Sequence, residues 1–540
     1  TINAANYNTA VGVDVFADLT TGDNNSALGF FALGNNTSGG NNTMVGAYAG
    51  ALNIDDADNT AVGYAANYPD GGSNVTAVGS VALNANTASD NTAVGKGALT
   101  ATVGGANNTA VGSLAGVANT SGSENTFVGY RAGMTTTTAT THTVIGSFAL
   151  DNGAANTGGL NTVLGHASGR VITSGTRNTI LGYDAGTAVT TGGGNILIGG
   201  NATGNSITTG SSNIAIGDSA LTTLTASTYP NIAIGVNALY SMATGYQNIA
   251  IGYRSGESAT GVGSTLVGDS AGMQITSGNS NTFIGVAAGY ATTTGANNTG
   301  LGRSALGANT TAGSNTAVGS GSMVAVTTGE SNTGIGLGSG KAITSGTLNV
   351  CAGLDAGYNI TTGTKNICIG YAARPEDATA TRNIVIGEDI TGFEDDTFTF
   401  GRASNYVHNN FATNASWTRN SDLNKKTNIN DDILGLDFIN DLRPVTFNWK
   451  PNYEFPKHYE DYNEKNQMDT ETLMHGMIAQ DIKSALDKAG VDTFGGWAEG
   501  KDGSQRIAQE MFIHPLIKAV QELTNQVETL KKEVETLKGE

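Results

Sequence analysis

Ser421 and Lys426 stand five residues apart in the run Trp417-Thr418-Arg419-Asn420-Ser421-Asp422-Leu423-Asn424-Lys425-Lys426. A serine hydroxyl is a weak nucleophile until a base takes its proton, and a lysine made neutral by burial can be that base. The pair could therefore attack a peptide bond. Other chemistry is thinner. No two carboxylates read as a glycosidase couple, and Asp55-Asp56 and Asp395-Asp396 read as solvated turns. The Gly-rich stretches lack the Gly-Lys-Ser/Thr ending of a phosphate loop. No cofactor and no metal site is expected.

The run lies on a break in composition. Residues 421–540 carry 14 Lys+Arg and 22 Asp+Glu, roughly 30% charged, against about 8% before them. The last 120 residues read as a globular domain and the first 420 do not. The net charge of −19 disfavours a nucleic-acid partner, since phosphate binding needs clustered Lys and Arg. No apolar run approaches the ~20 residues that cross a bilayer, so no membrane insertion is expected. No signal peptide is visible, and the chain opens on Thr1 rather than Met, the pattern of a fragment or processed product.

The long first part repeats. Asn-Thr-Ala-Val-Gly at Asn8 returns 22 more times, mostly 17 residues apart, ending with Asn383 to Gly387. The fifth residue is Gly in all 23 copies and the first is Asn in 20, the exceptions being Val75, His142 and Ser264. Each copy reads as one turn of a β-solenoid: a short strand, a variable corner, and a Thr-Thr-Gly type of turn in which Gly supplies positive φ. The Asn column is expected to stack as an amide ladder. Alternation puts the second and fourth residues on one face and the third on the other, and both faces are largely apolar. One face can fill the coil, and the other needs a partner, most simply another copy of the chain. At one strand spacing per turn, ~4.8 Å, 22 intervals span roughly 100 Å; three chains winding around one another would rise faster. Cys351 and Cys368 fall at the third position of consecutive copies, one rung apart, within disulfide range; they read as buried free thiols. Tyr64, Tyr130, Tyr183, Tyr253 and Tyr371 directly follow the motif Gly. They are candidates for stacking on sugar rings, with corner packing as the competing reading.

Residues 1–392 are thus the rod, and 393–420 its aromatic-rich end, where Thr397-Phe398-Thr399-Phe400 alternates as a strand and is expected to seal the last rung. In 421–540, Asp431 to Leu442 has helical spacing and stops before Pro444; Val445, Phe447 and Trp449 alternate as a strand. Residues 516–538 form a heptad seam, with Leu516, Leu523, Leu530 and Leu537 at d and Val520, Val527 and Val534 at a. Glu533 at g can reach Lys538 at e of a parallel neighbour.

The rod repeats resemble the head repeats of trimeric autotransporter adhesins and repeats of phage tail fibres. Three blocks of the last 120 residues resemble the self-cleaving intramolecular chaperone of phage endosialidases and tail fibres, peptidase family S74. They are Ser421-Asp422-Leu423-Asn424-Lys425-Lys426-Thr427-Asn428-Ile429 running into Leu442-Arg443-Pro444-Val445-Thr446-Phe447-Asn448-Trp449, then His475-Gly476-Met477-Ile478-Ala479-Gln480-Asp481-Ile482, then Pro515 to Leu523. The resemblance implies a Ser421/Lys426 dyad cutting Asn420–Ser421, an α+β chaperone domain and a homotrimer. Asn424 stands where the family usually has Arg, which predicts slowed cleavage. The expectation is a mainly β, trimeric solenoid followed by that domain. It would be a phage tail fibre or appendage on the virion, made in the host cytoplasm, binding a host-surface glycan or protein and other tail proteins. A bacterial surface adhesin and a polysaccharide-cleaving tailspike are the alternatives.

Overall fold

The computed structural model describes residues 5–69, 72–151, 154–225, 229–410 and 422–539, Lys425 without its side chain. The chain divides into two compact units, Thr1–Asn420 and Ser421–Glu540.

In the first unit each motif copy forms one strand. Among the described residues these run from β1 (Thr9–Val11) to β23 (Ile384–Glu388), nearly all three residues long. Each pairs in parallel with the strand of the next copy, in step: Thr162 faces Thr179, Val163 faces Ile180, Leu164 faces Leu181. The pairing holds register even where copies are 19 residues apart, as Thr143 with Thr162, so length variation is absorbed in the corners. Successive rungs come from one chain, which makes the unit a single-chain β-solenoid and not an intertwined helix.

The third motif residue points inward. It is buried in every strand from β2 (Ser26–Leu28) to β23, whether Ala, Phe127, Leu197 or Phe283. The fourth points out, and Leu28, Val62, Leu164, Leu301 and Ile335 are each more than a third exposed. The interior is filled by a trade in volume. In several layers whose third residue is small, a buried Leu or Met lies six residues on: Ala77 with Leu83, Ala93 with Leu99, Gly300 with Leu306, Ala317 with Met323. In the two Phe layers that position is Gly, Phe127 with Gly133 and Phe283 with Gly289, where a Cβ would run into the Phe ring. The inserted Leu residues sit at positive φ, 50° for Leu99, a conformation that residues with a Cβ normally avoid and close packing here enforces.

Two polar ladders hold the corners. The Asn column works mainly between side chain and backbone. Asn108 Oδ1 accepts from the Asn125 N–H at 3.0 Å, while Asn108 Nδ2 donates to the Gly122 carbonyl at 2.9 Å. The expected amide-to-amide bond is also present, Asn125 Nδ2 to Asn108 Oδ1 at 3.0 Å, as the third contact of the set. Two of the three exceptions keep the acceptor; Val75 has none. Ser264 Oγ receives the Asn281 N–H at 3.3 Å, and His142 Nδ1 receives the Asn161 N–H at 3.2 Å. The Thr of the Thr-Thr-Gly turns forms the second ladder, with Thr276 Oγ1 donating to the Thr293 carbonyl and Thr293 Oγ1 to that of Thr310, both at 3.1 Å. The motif Gly admits no substitute. At Gly112 φ is 139°, and a Cβ would overlap the carbonyl oxygen of Gly129 one rung away.

The rod end closes as expected. β24 (Thr397–Arg402) adds in parallel to β23, and β25 (Asn405–Asn410) turns back antiparallel on β24. Asp395 and Asp396 lie in a turn, Asp395 exposed, and they also make contacts that their spacing did not suggest. Asp396 Oδ2 pairs with Arg382 at 2.7 Å, and Asp395 Oδ1 accepts from the Thr381 N–H at 2.7 Å, so both tie the closing hairpin to the rung before it.

In the second unit, α1 (Leu436–Asp441), β26 (Pro444–Phe447), β27 (Met474–Met477), α2 (Ala479–Lys488), β28 (Trp497–Glu499), β29 (Gln505–Ile507) and α3 (Ile513–Gly539) come in that order. β26 pairs antiparallel with β27, and β28 with β29. The core joins Leu434 and Phe438 to Ile482, Leu486 and Phe512, with Phe438 stacked on Phe512 at 6.3 Å. Helix α1 is shorter than its spacing predicts, starting at Leu436 and not Asp431. Gly435 precedes it, and the Leu436 N–H is taken by Glu522 of α3 at 2.7 Å, in space a Cβ on Gly435 would occupy. Trp449 lies just beyond β26, its ring edge-on to Phe447 at 5.3 Å.

Candidate functional site

Ser421 and the Asn420–Ser421 bond lie outside the described residues, so of the expected pair only Lys426 is described. The segment that carries Lys426 is a single 3-10 turn, Leu423–Lys425. Asp422 caps it, its Oδ1 accepting from the Asn424 N–H at 2.7 Å, and the Lys426 N–H closes it on the Leu423 carbonyl at 3.2 Å. Asn424 therefore takes part in the turn through its backbone, with its side chain exposed. Lys426 is exposed as well.

The residues just after the turn are also uncovered. Ile429 is 60% and Ile433 72% exposed. The next anchored point is Leu434, where the chain enters the core, its N–H held by Asp432 at 2.9 Å. Arg443 then pairs with Asp481 at 2.8 Å and Lys488 with Asp441 at 2.7 Å, exposed bridges that add little stability but fix α1 against α2.

The heptad residues all lie on α3, and every one is exposed: Leu516, Val520, Leu523, Val527, Leu530, Val534 and Leu537, the last at 71%. The half of α3 nearer the core is tied to α1 through Glu522, which sits one residue before Leu523 of the seam.

Residues 421–491 match the family model described as chaperone of endosialidase, peptidase S74. The match takes in the first two sequence blocks, α1, β26, β27 and α2; the block from Pro515 to Leu523 lies beyond it. No curated protein and no solved structure matches the chain. An S74 chaperone domain behind a β-solenoid fits a tail-fibre or tailspike-like protein.

On the rod, the five tyrosines are exposed, between 44% for Tyr130 and 57% for Tyr64. They do not form one strip, because several rungs separate most of them. Tyr130 and Tyr183 are joined by residues outside the tyrosine pattern: Tyr130 meets Phe148 at 5.2 Å, Phe148 meets His166 at 5.8 Å, and His166 stacks on Tyr183 at 5.3 Å. Tyr64 touches Tyr48 at 6.1 Å. Cys351 and Cys368 face each other in register, both free and fully buried. A hydrogen bond with Cys351, reinforced by burial, pushes the Cys368 thiol up, away from the reactive thiolate. Among the described residues no group of three His, Cys, Asp or Glu is arranged to hold a metal, and no helix is long and apolar enough to cross a membrane.

One concave site, at the rod end, is not anticipated by the sequence pattern. Phe393, Tyr406, Asp389 and Glu376 line a cavity of about 520 Å3 there. The signal for it was present, as aromatics at short intervals next to acidic residues, but aromatics in that position also suit a simple seal.

Proposed function

We propose that this is a homotrimeric fibre protein of the tail-fibre or appendage kind, carried on a virion and contacting a host surface. Its C-terminal unit aligns three chains and then cuts Asn420–Ser421. The observation that carries the reading is the apolar surface each unit leaves uncovered in one chain: the seven seam residues of α3 and the fourth-position column of the solenoid. Three parallel α3 helices would bury the seam, and three solenoids the column.

The arrangement answers a physical problem. A strand stack of near-identical rungs buries almost the same residues when one chain slips by a whole copy, so register between chains is weakly specified. A domain that trimerises first holds the three ends level. The exposure of Lys426 in one chain supports cleavage gated by assembly. In this step Lys426 takes the Ser421 hydroxyl proton as Oγ bonds to the Asn420 carbonyl carbon; the Asn420–Ser421 C–N bond breaks as the nitrogen picks up that proton, and water hydrolyses the resulting ester to free the Asn420 carboxylate and the Ser421 hydroxyl.

Intact mass under native and denaturing conditions tests both parts at once. Wild type should give a trimer whose chains have lost a 120-residue fragment; Ser421→Ala should give a full-length trimer. A monomer in both conditions, or release of the fragment from Ser421→Ala, overturns the assignment.

A further inference from the structure

The cavity at the rod end is built in a way the closing of a solenoid does not require. We propose that it is a binding site for a neutral sugar residue. It deepens the host-surface reading and rests on it only for its biological purpose.

One wall is aromatic and held rigid. The Phe393 ring lies on the His408 ring at 4.4 Å with 2° between the planes, and Tyr406 meets Phe393 at 6.1 Å. Both Phe393 and Tyr406 are half-buried, so each keeps an accessible part. Pre-positioned rings of this kind accept the apolar C–H face of a sugar at small entropic cost.

The other wall is polar. Asp389 projects from the residue after β23 with φ at 47°, a left-handed backbone that Asp tolerates better than most residues. Its position is fixed from several sides. The Asp389 N–H donates to the Tyr371 carbonyl at 2.7 Å, and Asp389 Oδ1 accepts from Arg374 Nη1 at 3.0 Å. Arg374 is in turn held by the Ala372 carbonyl at 2.9 Å and lies over the Tyr358 ring at 5.3 Å. The ion pair engages Oδ1, and the residue lines the cavity. Glu376, Thr391 and Ser404 complete the lining. The hydroxyls donate or accept, and the carboxylates accept only.

Volume and charge select the ligand. About 520 Å3 is in the range of small-molecule sites and takes one or two sugar rings. Two carboxylates against one lining-side guanidinium repel an acidic sugar. An apolar peptide would leave the carboxylates unmatched, which costs binding energy. A neutral hexose or N-acetylhexosamine satisfies both walls, with ring face on Phe393 and Tyr406 and hydroxyls on Asp389 and Glu376.

The test uses the protein as expressed from the full chain, with saturation-transfer NMR and the methyl glycosides of glucose, galactose and N-acetylglucosamine, and with N-acetylneuraminic acid. At least one neutral glycoside should bind, and the acidic sugar should not. Asp389→Asn, which keeps the shape and the backbone tolerance, and Tyr406→Ala should each weaken binding at least tenfold. Tyr240→Ala, an exposed tyrosine on a distant rung outside the tyrosine set above, should leave it unchanged. Binding that survives both cavity variants, a preference for the acidic sugar, or silence from all neutral sugars overturns the proposal. Attachment of labelled protein to a panel of bacterial cells is scored separately. Attachment without sugar binding sinks the sugar site and leaves the fibre reading standing, whereas sugar binding without attachment keeps the site and sinks the host-surface role.

Discussion

His142 stands in the Asn column, and its surroundings define its protonation. Nδ1 accepts the Asn161 N–H, so the proton of the neutral ring sits on Nε2, which donates to Asn156 Oδ1 at 3.0 Å. Burial lowers its pKa below the ordinary 6.5, opposed by the bonds to Asn156 and backbone. Proton counting gives the sign. Below pH 6.5 the unfolded chain takes up a proton that the folded rung resists, so stability is full above that pH and falls as pH drops through the window beneath it. The loss cannot exceed ~1.4 kcal/mol per pH unit, the slope for one proton. His142→Asn restores the common residue and should remove this component between pH 7 and 5. Apparent melting temperatures of both proteins across that range check it, and parallel curves would dismiss His142 as a pH-sensitive rung. The sequence marked His142 as an exception to the column without showing that an imidazole reproduces both amide functions, which needs the position of Asn156.

At the scale of the rung, the 17-residue period, the strand position and the motif Gly were all legible, because each is a local backbone requirement repeated many times. Two faces of the strand were legible, but which one turns inward was not, since Ala at the third position and Val at the fourth are both apolar. The partner of the third residue was hidden as well, because a Leu at positive φ contradicts local preference and only the layer geometry justifies it. That geometry makes a prediction. Phe127→Ala should cost ~3–5 kcal/mol by opening a cavity. Gly133→Leu alone should also destabilise, since its Cβ meets the Phe127 ring. Together they recreate the Ala93 and Leu99 layer, and the double variant should be more stable than the sum of the singles by over ~1 kcal/mol. Thermal melts of the four proteins decide it, and simple additivity would mean the two positions do not share one volume. The C-terminal unit was legible where its residues alternate or follow heptads. Helix α1 was overextended at its start because the cap on Leu436 comes from Glu522, 86 residues away.

For the whole molecule the decisive property is kinetic. A solenoid built in step from one chain has local strand pairing, but alignment between three chains has no local code, since the outward fourth position is Val, Ile or Leu in nearly every copy. If the C-terminal unit supplies that alignment and then leaves, the mature rod is trapped behind its unfolding barrier and cannot reassemble once unfolded. We therefore expect an asymmetry in refolding. Uncleaved Ser421→Ala trimers, unfolded in guanidinium and diluted, should regain the trimer mass in high yield. Wild-type rods that have lost the unit should return as aggregates or mixed assemblies, although they unfold no faster. Leu523→Asp with Leu530→Asp in the Ser421→Ala background breaks the exposed seam on α3 while leaving the core around Phe438 untouched. Those chains should fail like the cleaved rods, with native β-structure by circular dichroism but no defined trimer by sedimentation. Equal recovery of cleaved and uncleaved protein would mean that the solenoid aligns itself, and the C-terminal unit would then need another reason to exist.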